Sequence, residues 1–217
     1  MKVAIVGAGK VGKALGASLV RAGHSVVYAS TSVESSTEAA EAAGGTAAGS
    51  VREAAERAEL VIIAVPYAAA ARQVATELAP VVGGKIVIDA TNTLKPDYSG
   101  LATEGGPSGA ETFAAWLPGA RVVKALNTIF ASVQADPKSH GVVIDALFAA
   151  DDQDARATVG DLLRSLGFRP VYVGPLARAR ELEAMAFLNI SLQMTAEGDW
   201  RTAFSLIGAP KSSVHQG

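Results

Sequence analysis

The first thirty residues constrain the fold more than any other stretch of the chain. Residues 3–6 form a short apolar run, and it ends abruptly at the glycine-rich sequence G-A-G-K-V-G at residues 7–12. Apolar residues at helical spacing follow as far as Leu19, Gly23 ends that pattern, and residues 25–29 form a second apolar run. This order of strand, glycine turn, helix and strand predicts a βαβ unit that binds a dinucleotide.

Each glycine of the turn has its own physical role. Gly7 allows a tight turn at positive φ after the strand, because it lacks a Cβ. The missing side chain of Gly9 lets the backbone approach a pyrophosphate, and Gly12 lets the helix pack closely on the strand. A pyrophosphate is expected on the free N–H groups at the helix start, where the helix dipole is positive. A glycine-rich turn without a ligand is the weaker alternative.

The corner after the second strand bears on the choice of cofactor. Ser30, Thr31 and Ser32 occupy it, and the first acidic residue is Glu34. A fold that prefers NAD usually carries Asp or Glu here, and a carboxylate would repel the 2′-phosphate of NADP. The corner therefore predicts NADP, although the arginine that often binds this phosphate is absent. Each hydroxyl residue could equally be part of an ordinary polar turn before a helix.

Composition narrows the class of protein. The 217 residues allow one large domain, or one domain with a small appendage. With 49% hydrophobic and 18% charged residues the chain should be globular, and its net charge of −2 predicts no nucleic-acid partner. No cysteine is present, which excludes disulfides and thiolate metal sites. No apolar run reaches about eighteen residues, so we expect a soluble, cytoplasmic protein with no membrane partner.

Strand-like and helix-like segments alternate along the whole chain. We expect strands near residues 3–6, 25–29, 46–48, 60–65, 85–89, 122–126, 142–149 and 169–173. Helices between them predict an α/β fold with a doubly wound parallel sheet, the Rossmann fold. We expect a dinucleotide-binding domain at residues 1–139 and a small C-terminal α/β lobe at 140–217, which continues the sheet or packs on it. A helix at 177–197 and a short terminal helix should complete the lobe.

Ligands of doubly wound sheets bind outside the carboxyl ends of the strands. Residues 64–67, 90–92 and 126–128 follow predicted strands and join the glycine turn and the corner at that edge. A bend at Pro66 either shapes the nicotinamide side of the site or has a purely structural role. The candidate cofactor-binding residues are Gly7, Ala8, Gly9, Lys10, Val11, Gly12, Ser30, Thr31, Ser32, Ala64, Val65, Pro66, Thr91, Asn92 and Asn127.

Several segments, taken in order, resemble a known family. They are AVPY at 64–67, VIDATN at 87–92, LPGARVVKALNTI at 117–129, ADD at 150–152 and GFRPVYVGPLARARELEAMAFLNISL at 167–192. Together with the glycine turn they resemble the NADP oxidoreductases that depend on the deazaflavin coenzyme F420, over nearly the whole chain. The GPL-x-x-AR-x-LE pattern distinguishes that group from other Rossmann enzymes.

The resemblance implies that NADP lies across the strand ends and that reduced F420 stacks on the nicotinamide beside the C-terminal lobe. Direct hydride transfer needs no catalytic side chain and no metal, so we predict neither. The chain has Thr31 where the family commonly has arginine, and Asn127 where it often has histidine. The acceptor therefore stays open between F420, a flavin and a related compound.

The sequence leaves two alternative functions open. An imine or pyrroline-carboxylate reductase has a similar N-terminal half but needs a long all-helical C-terminal domain, which the strands expected near 142–149 and 169–173 oppose. A non-catalytic NADP-binding or NADP-sensing module is the second alternative. The helix at 177–197 carries apolar residues on two faces, with Ile190 on one of them, and this favours a homodimer.

Overall fold

The computed structural model describes residues 1–103 and 105–208. Its strands are β1 (Lys2–Val6), β2 (Ser25–Ala29), β3 (Thr46–Ala47), β4 (Leu60–Ile63), β5 (Ile86–Asp89), β6 (Arg121–Ala125), β7 (Asp145–Ala150) and β8 (Arg169–Tyr172). Its helices are α1 (Lys10–Arg21), α2 (Val33–Ala43), α3 (Val51–Glu56), α4 (Tyr67–Leu78), α5 (Gly109–Trp116), α6 (Ala131–Ala135), α7 (Gln153–Ser165) and α8 (Ala179–Thr195). A 3₁₀ turn at Leu176–Arg178 leads directly into α8.

All eight strands form one sheet in the order β3-β2-β1-β4-β5-β6-β7-β8. The order changes direction at β1, which pairs in parallel with both β2 and β4. This topology confirms the predicted α/β, doubly wound Rossmann fold. The lobe's strands continue the same sheet, while the domain division at residue 139 stays a prediction.

One strand pair departs from the expected parallel sheet. Strand β7 runs antiparallel to β6, and β8 is parallel to β7. The chain leaves β6 at the carboxyl edge, forms the short α6, and enters β7 from that same edge instead of crossing the sheet on a long helix. Because β8 therefore ends at the opposite edge, α8 runs back and brings its last turns to the carboxyl edge of β1, β4, β5 and β6.

Both faces of the sheet are covered. In β4, Leu60 and Ile62 pack into the core under α1 and α7, and Val61 and Ile63 pack into the core under α3, α4 and α5. This explains the uninterrupted apolar sequence of β4, since each successive side chain faces a buried layer. Across the described residues, no helix combines the length and the hydrophobicity needed to cross a bilayer.

The end of the chain differs from the sequence prediction. The short helix expected after α8 is wrong for the described residues, because 199–206 form no helix and run back over the sheet edge. The N–H of Asp145 donates to the carbonyl of Phe204, and its carboxylate accepts from the N–H of Leu206. Asp145 lies inside the strand expected at 142–149, but it is the first residue of β7. Its Oδ1 lies 2.5 Å from Nε of Arg169.

Candidate functional site

A cavity of about 910 Å³ lies at the carboxyl ends of β1, β4, β5 and β6. The predicted residues that line it are Gly9, Lys10, Val11, Ala64, Val65, Pro66, Thr91, Asn92 and Asn127. Gly7 and Ala8 lie in the turn before α1 and Gly12 in the first turn of α1, while Ser30, Thr31 and Ser32 follow the end of β2. The strand-end rule thus brought together residues from four separate segments, and their role in binding remains a prediction.

The glycines of the first turn divide into two kinds. Gly7 has a φ of +118°, and a Cβ there would collide with the carbonyl oxygen of Ala64. A Cβ on Gly12 would likewise collide with the carbonyl oxygen of Gly7, so the fold itself requires both glycines. A Cβ on Gly9 would meet no atom within 4 Å. The fold does not require glycine at position 9. The missing side chain instead leaves open space in front of α1, where a ligand can approach the backbone.

Three helices begin at the cavity without a side-chain cap. Their N-cap residues Gly9, Pro66 and Phe130 all line the cavity and offer no side-chain acceptor to the first N–H groups. By contrast, α2, α3, α5 and α7, which begin elsewhere around the sheet, are capped by Ser32, Ser50, Ser108 and Asp152, and α8 alone of the described α-helices that begin away from the cavity has no side-chain cap. Because the first N–H groups of a helix have no partner within the helix, those of α1 are available to an anion.

The corner after β2 is largely satisfied by its own hydrogen bonds. The hydroxyl of Ser30 donates to the carbonyl of Ser32 at 2.7 Å, and the hydroxyl of Ser32 caps α2 by accepting from the N–H of Ser35. This cap explains why α2 begins at Val33. The side chain of Thr31 is exposed and has no hydrogen bond to another described residue.

A second group of lining residues is apolar and aromatic, and the sequence analysis did not include it. It is formed by Leu94, Tyr98, Ile129, Phe130, Ile190, Met194 and Trp200. These residues come from four distant segments, so no local motif could have identified them. The rings of Phe130 and Trp200 meet edge to face, with centroids 5.3 Å apart and planes at 75°. We call this set the aromatic wall.

Strained backbone is concentrated at the same place. The non-glycine residues with positive φ among those described are Tyr98, Leu126, Glu197 and Trp200, with values from 49° to 69°. Three of them, all except Glu197, line the cavity. Such conformations cost about 1–2 kcal/mol per residue and cluster at ligand sites, where surrounding contacts hold them in place.

Two amides stand between the strand ends. The side-chain amide of Asn127 donates to Oδ1 of Asn92 and to the carbonyl of Leu182, each at 3.0 Å. The Oδ1 of Asn127 is buried and has no hydrogen-bond partner in the described part of the chain, and the same holds for Oε1 of Gln134. Both side chains line the cavity, so these two acceptors can receive N–H donors from a ligand.

A buried charge network supports the floor of the site. Lys124 on β6 is fully buried, and its Nζ lies 2.9 Å from Asp89 on β5 and 2.8 Å from Glu183 on α8. It also donates to the carbonyl of Thr91 at 2.7 Å. Burial alone would lower the pKa of Lys124, but the two carboxylates outweigh it and raise that pKa above its ordinary value.

Glu183 ties the network to two more elements. Its Oε2 accepts from the hydroxyl of Thr93 at 2.6 Å, and its Oε1 accepts from the first N–H of α5, that of Gly109, at 2.9 Å. Every oxygen of the two carboxylates thus has a donor, as a buried ion pair requires. This network, which the sequence did not reveal, fixes α8 against the strand ends that line the cavity.

The sheet, with a cavity at its strand ends, is of the Rossmann class, and the comparisons with known proteins support a family of NAD(P)-dependent oxidoreductases. Residues 2–93 match the sequence profile of the family described as NADP oxidoreductase, coenzyme F420-dependent.

Three similar proteins extend the comparison. Metalloreductase STEAP3 of Rattus norvegicus is 31% identical over 187 residues, which cover 85% of this chain, and the chain spans only 36% of that relative. The crystal structure of a candidate F420-dependent NADP reductase from Arthrobacter sp. FB24 is 25% identical with a TM-score of 0.85, covering 95% of this chain and 100% of that one. The hypothetical protein SMa0349 from Sinorhizobium meliloti is 33% identical with a TM-score of 0.73, covering 82% and 86%.

Proposed function

We propose that this protein transfers a hydride between NADP(H) and the deazaflavin F420 or a related flavin. The observation that carries the proposal is the two-sided cavity, which joins the uncapped, glycine-lined start of α1 to the aromatic wall. A cofactor phosphate suits the first side and a flat ring suits the second. The profile match over residues 2–93 and the description of the Arthrobacter protein support the same assignment.

The residues present fit a bound dinucleotide. The open space at Gly9 admits the pyrophosphate to the N–H groups of α1, and Lys10 is the only charged side chain among the described lining residues. No carboxylate therefore opposes an anionic cofactor at this surface. The nicotinamide would extend toward Thr91 and Asn92, where the unpartnered Oδ1 of Asn127 can accept an N–H of its carboxamide.

The chain's own contribution to the reaction is orientation. NADPH, when bound, supplies a hydride from its nicotinamide C4. The protein has to hold two rings face to face and exclude water between them, which the apolar aromatic wall and the buried floor can do. The cavity volume of about 910 Å³ is at the upper end of what small-molecule sites offer, and so suits two rings at once.

Preference for NADP over NAD is part of the proposal. Ser30 and Ser32 are engaged within the chain, which leaves the exposed Thr31 as the free hydroxyl at the corner. Thr31, helped by Lys10 at the start of α1, would meet the 2′-phosphate. No acidic side chain stands between them and the end of β2.

The direct test is to follow NADPH oxidation by the purified protein with a panel of acceptors. The panel contains F420, FMN, FAD, a quinone and a ferric chelate, the last because of the similarity to a metalloreductase. We expect turnover with F420 or a flavin. If NADPH binds but no acceptor oxidises it, the sensing module becomes the better assignment. The strands β7 and β8 do not by themselves argue against an imine reductase, because the structure of the imine reductase from Myxococcus stipitatus covers 91% of this chain with a TM-score of 0.67.

We also propose that the protein is a homodimer joined through α8. Leu188 and Leu192 on this helix are 67% and 53% exposed, whereas Ile190 is buried beside the cavity. Leu188→Asp should therefore reduce the mass seen by light scattering from twice the chain mass of 22.1 kDa to a single chain. A single-chain mass for the unmodified protein at all concentrations would refute the dimer. A cytoplasmic location remains a prediction from the sequence.

A further inference from the structure

Trp200 lies beyond α8 in a segment without regular structure, yet it is held from both sides. Its backbone N–H donates to Oε1 of Gln193 at 2.8 Å, and its backbone carbonyl accepts from the hydroxyl of Ser132. Two residues later, Thr202 accepts from Nε2 of Gln193 at 2.9 Å and donates to Oδ1 of Asn189 at 2.5 Å. The polar side chains of α8 that make these bonds are themselves almost fully buried.

The backbone of Trp200 adopts a conformation that is unfavourable for an isolated tryptophan residue. Its φ is +60°, in the left-handed region that a bulky side chain disfavours. Such a conformation persists only where the surroundings impose it, and the bonds from Gln193 and Ser132 do so here. The backbone that carries the indole ring is therefore held in place by hydrogen bonds to Gln193 and Ser132.

The ring so placed is accessible. Trp200 remains 43% exposed and lines the cavity, while Phe130 packs against it edge to face. An indole supported by a second ring and still open to a cavity presents a stacking surface for another flat ring. Elsewhere in the lining, Gly9 and Asn127 offer backbone and amide groups, which suit the cofactor and not an aromatic face.

We propose that Trp200 is the residue on which the electron acceptor stacks, and that it makes the site selective for flat, fused-ring acceptors. This inference rests on the proposed function, since it assigns the acceptor side of the same cavity. The buried amides of Asn189 and Gln193 act as positioning residues, because they set the backbone of Trp200 and do not touch the acceptor.

The two tryptophans of the chain provide a matched pair for the test. Trp116 packs against Phe113 and lies under the guanidinium of Arg72, and it does not line the cavity. In Trp116→Phe all tryptophan emission comes from Trp200, and in Trp200→Phe all of it comes from Trp116. Each variant is titrated with FMN and with F420 in the presence of saturating NADP⁺, and emission is recorded after correction for absorbance by the ligand.

The expected results separate the two positions. Emission from Trp200 should be quenched saturably, and emission from Trp116 should change little. Trp200→Ala should weaken binding of the ring about tenfold, as the loss of one stacking partner does, and should leave NADP⁺ affinity within about twofold. The affinity of Trp200→Phe for the ring should lie between those of the unmodified protein and Trp200→Ala. If the alanine variant does not fold, the phenylalanine variant is used for the affinity comparison.

Unchanged affinity for both rings in the Trp200 variants, or equal quenching of both tryptophans, would overturn the proposal. If the unmodified protein binds NADP⁺ but neither FMN nor F420, the acceptor class is wrong, and the role of Trp200 fails with it. If it does not bind NADP⁺ either, the proposed oxidoreductase function itself fails. These outcomes are distinguished within one set of titrations.

Discussion

The two sides of the cavity are built in different ways. The cofactor side consists of backbone at the uncapped starts of α1 and α4, where Gly9 and Pro66 leave room and free N–H groups. The aromatic wall consists of side chains such as Phe130, Ile190 and Trp200, which only the tertiary fold brings together. Binding through backbone requires a short local sequence, whereas binding through side chains requires correct packing of distant segments. The two sides should therefore respond to different mutations.

The largest effect should come from the network that joins the two sides. Lys124→Met leaves the buried carboxylates of Asp89 and Glu183 without their cation, which should cost about 3–5 kcal/mol of unfolding free energy. Because Glu183 lies on α8, affinity for FMN should fall more than affinity for NADP⁺. Denaturant unfolding and the two titrations measure these effects.

A compensated variant serves as the control. Adding Asp89→Asn and Glu183→Gln to Lys124→Met removes the unpaired charges and should recover much of the stability. If Lys124→Met alone is as stable as the unmodified protein, the network does not hold α8 to the sheet.

Next in size is a change confined to the cofactor side. A side chain at Gly9 would enter open space, so Gly9→Val should fold normally but block the approach of the pyrophosphate. We expect NADP⁺ affinity to fall about 100-fold, or about 2.7 kcal/mol, by calorimetric titration. Gly83→Val is the matched control, because Gly83 also faces open space but does not line the cavity. Normal NADP⁺ binding by a folded Gly9→Val protein would remove the dinucleotide from this side.

Cofactor choice should produce a smaller difference. The unmodified protein should bind NADPH about tenfold more tightly than NADH, because no acid at the β2 corner repels the 2′-phosphate. Thr31→Glu should reverse the preference, and the dissociation constants of both cofactors measure it. Equal affinity, or tighter NADH, in the unmodified protein would contradict the assignment.

The smallest effect concerns the ion pair that joins α5 to α8. The guanidinium of Arg180, which donates to both carboxylate oxygens of Glu111, lowers the pKa of that carboxyl to about 2. A lowered pKa in the folded state means that the stabilisation is complete above the ordinary pKa of 4.5 and is lost as the pH falls toward 2.

Arg180→Gln should therefore lower the melting temperature by no more than about 2 °C at neutral pH, and the difference should vanish near pH 2. Arg178→Gln, which breaks only the exposed pair between the 3₁₀ turn and Glu181 of α8, is the control. A difference that persists at the lowest pH would show that packing, and not charge, links the two helices.

Sequence reasoning predicted the backbone-built side far better than the other. The β1–α1–β2 unit, the glycine turn and the strand ends at Thr91 and Asn127 depend on local patterns and one topological rule. The sequence patterns did not predict that β7 is antiparallel, because the direction of this strand depends on the edge at which the chain re-enters the sheet. The helix expected near Trp200 was wrong, because hydrogen bonds with Asn189 and Gln193 on α8 hold that segment in a non-helical conformation. A lysine within a strand likewise gave no sign that Asp89 and Glu183 would enclose it.

The central claim, direct transfer between two rings in one cavity, can be tested with isotopically labelled cofactor. NADPH carrying deuterium on one face of C4 is incubated with the protein and F420, and the reduced F420 is analysed by mass spectrometry. Since the reduced deazaflavin holds its new hydrogen on carbon, the label does not exchange with water. We predict that deuterium from one face of the nicotinamide, and not from the other, appears in the product. Reduced F420 that carries only solvent hydrogen, or no reduction at all, would contradict the account.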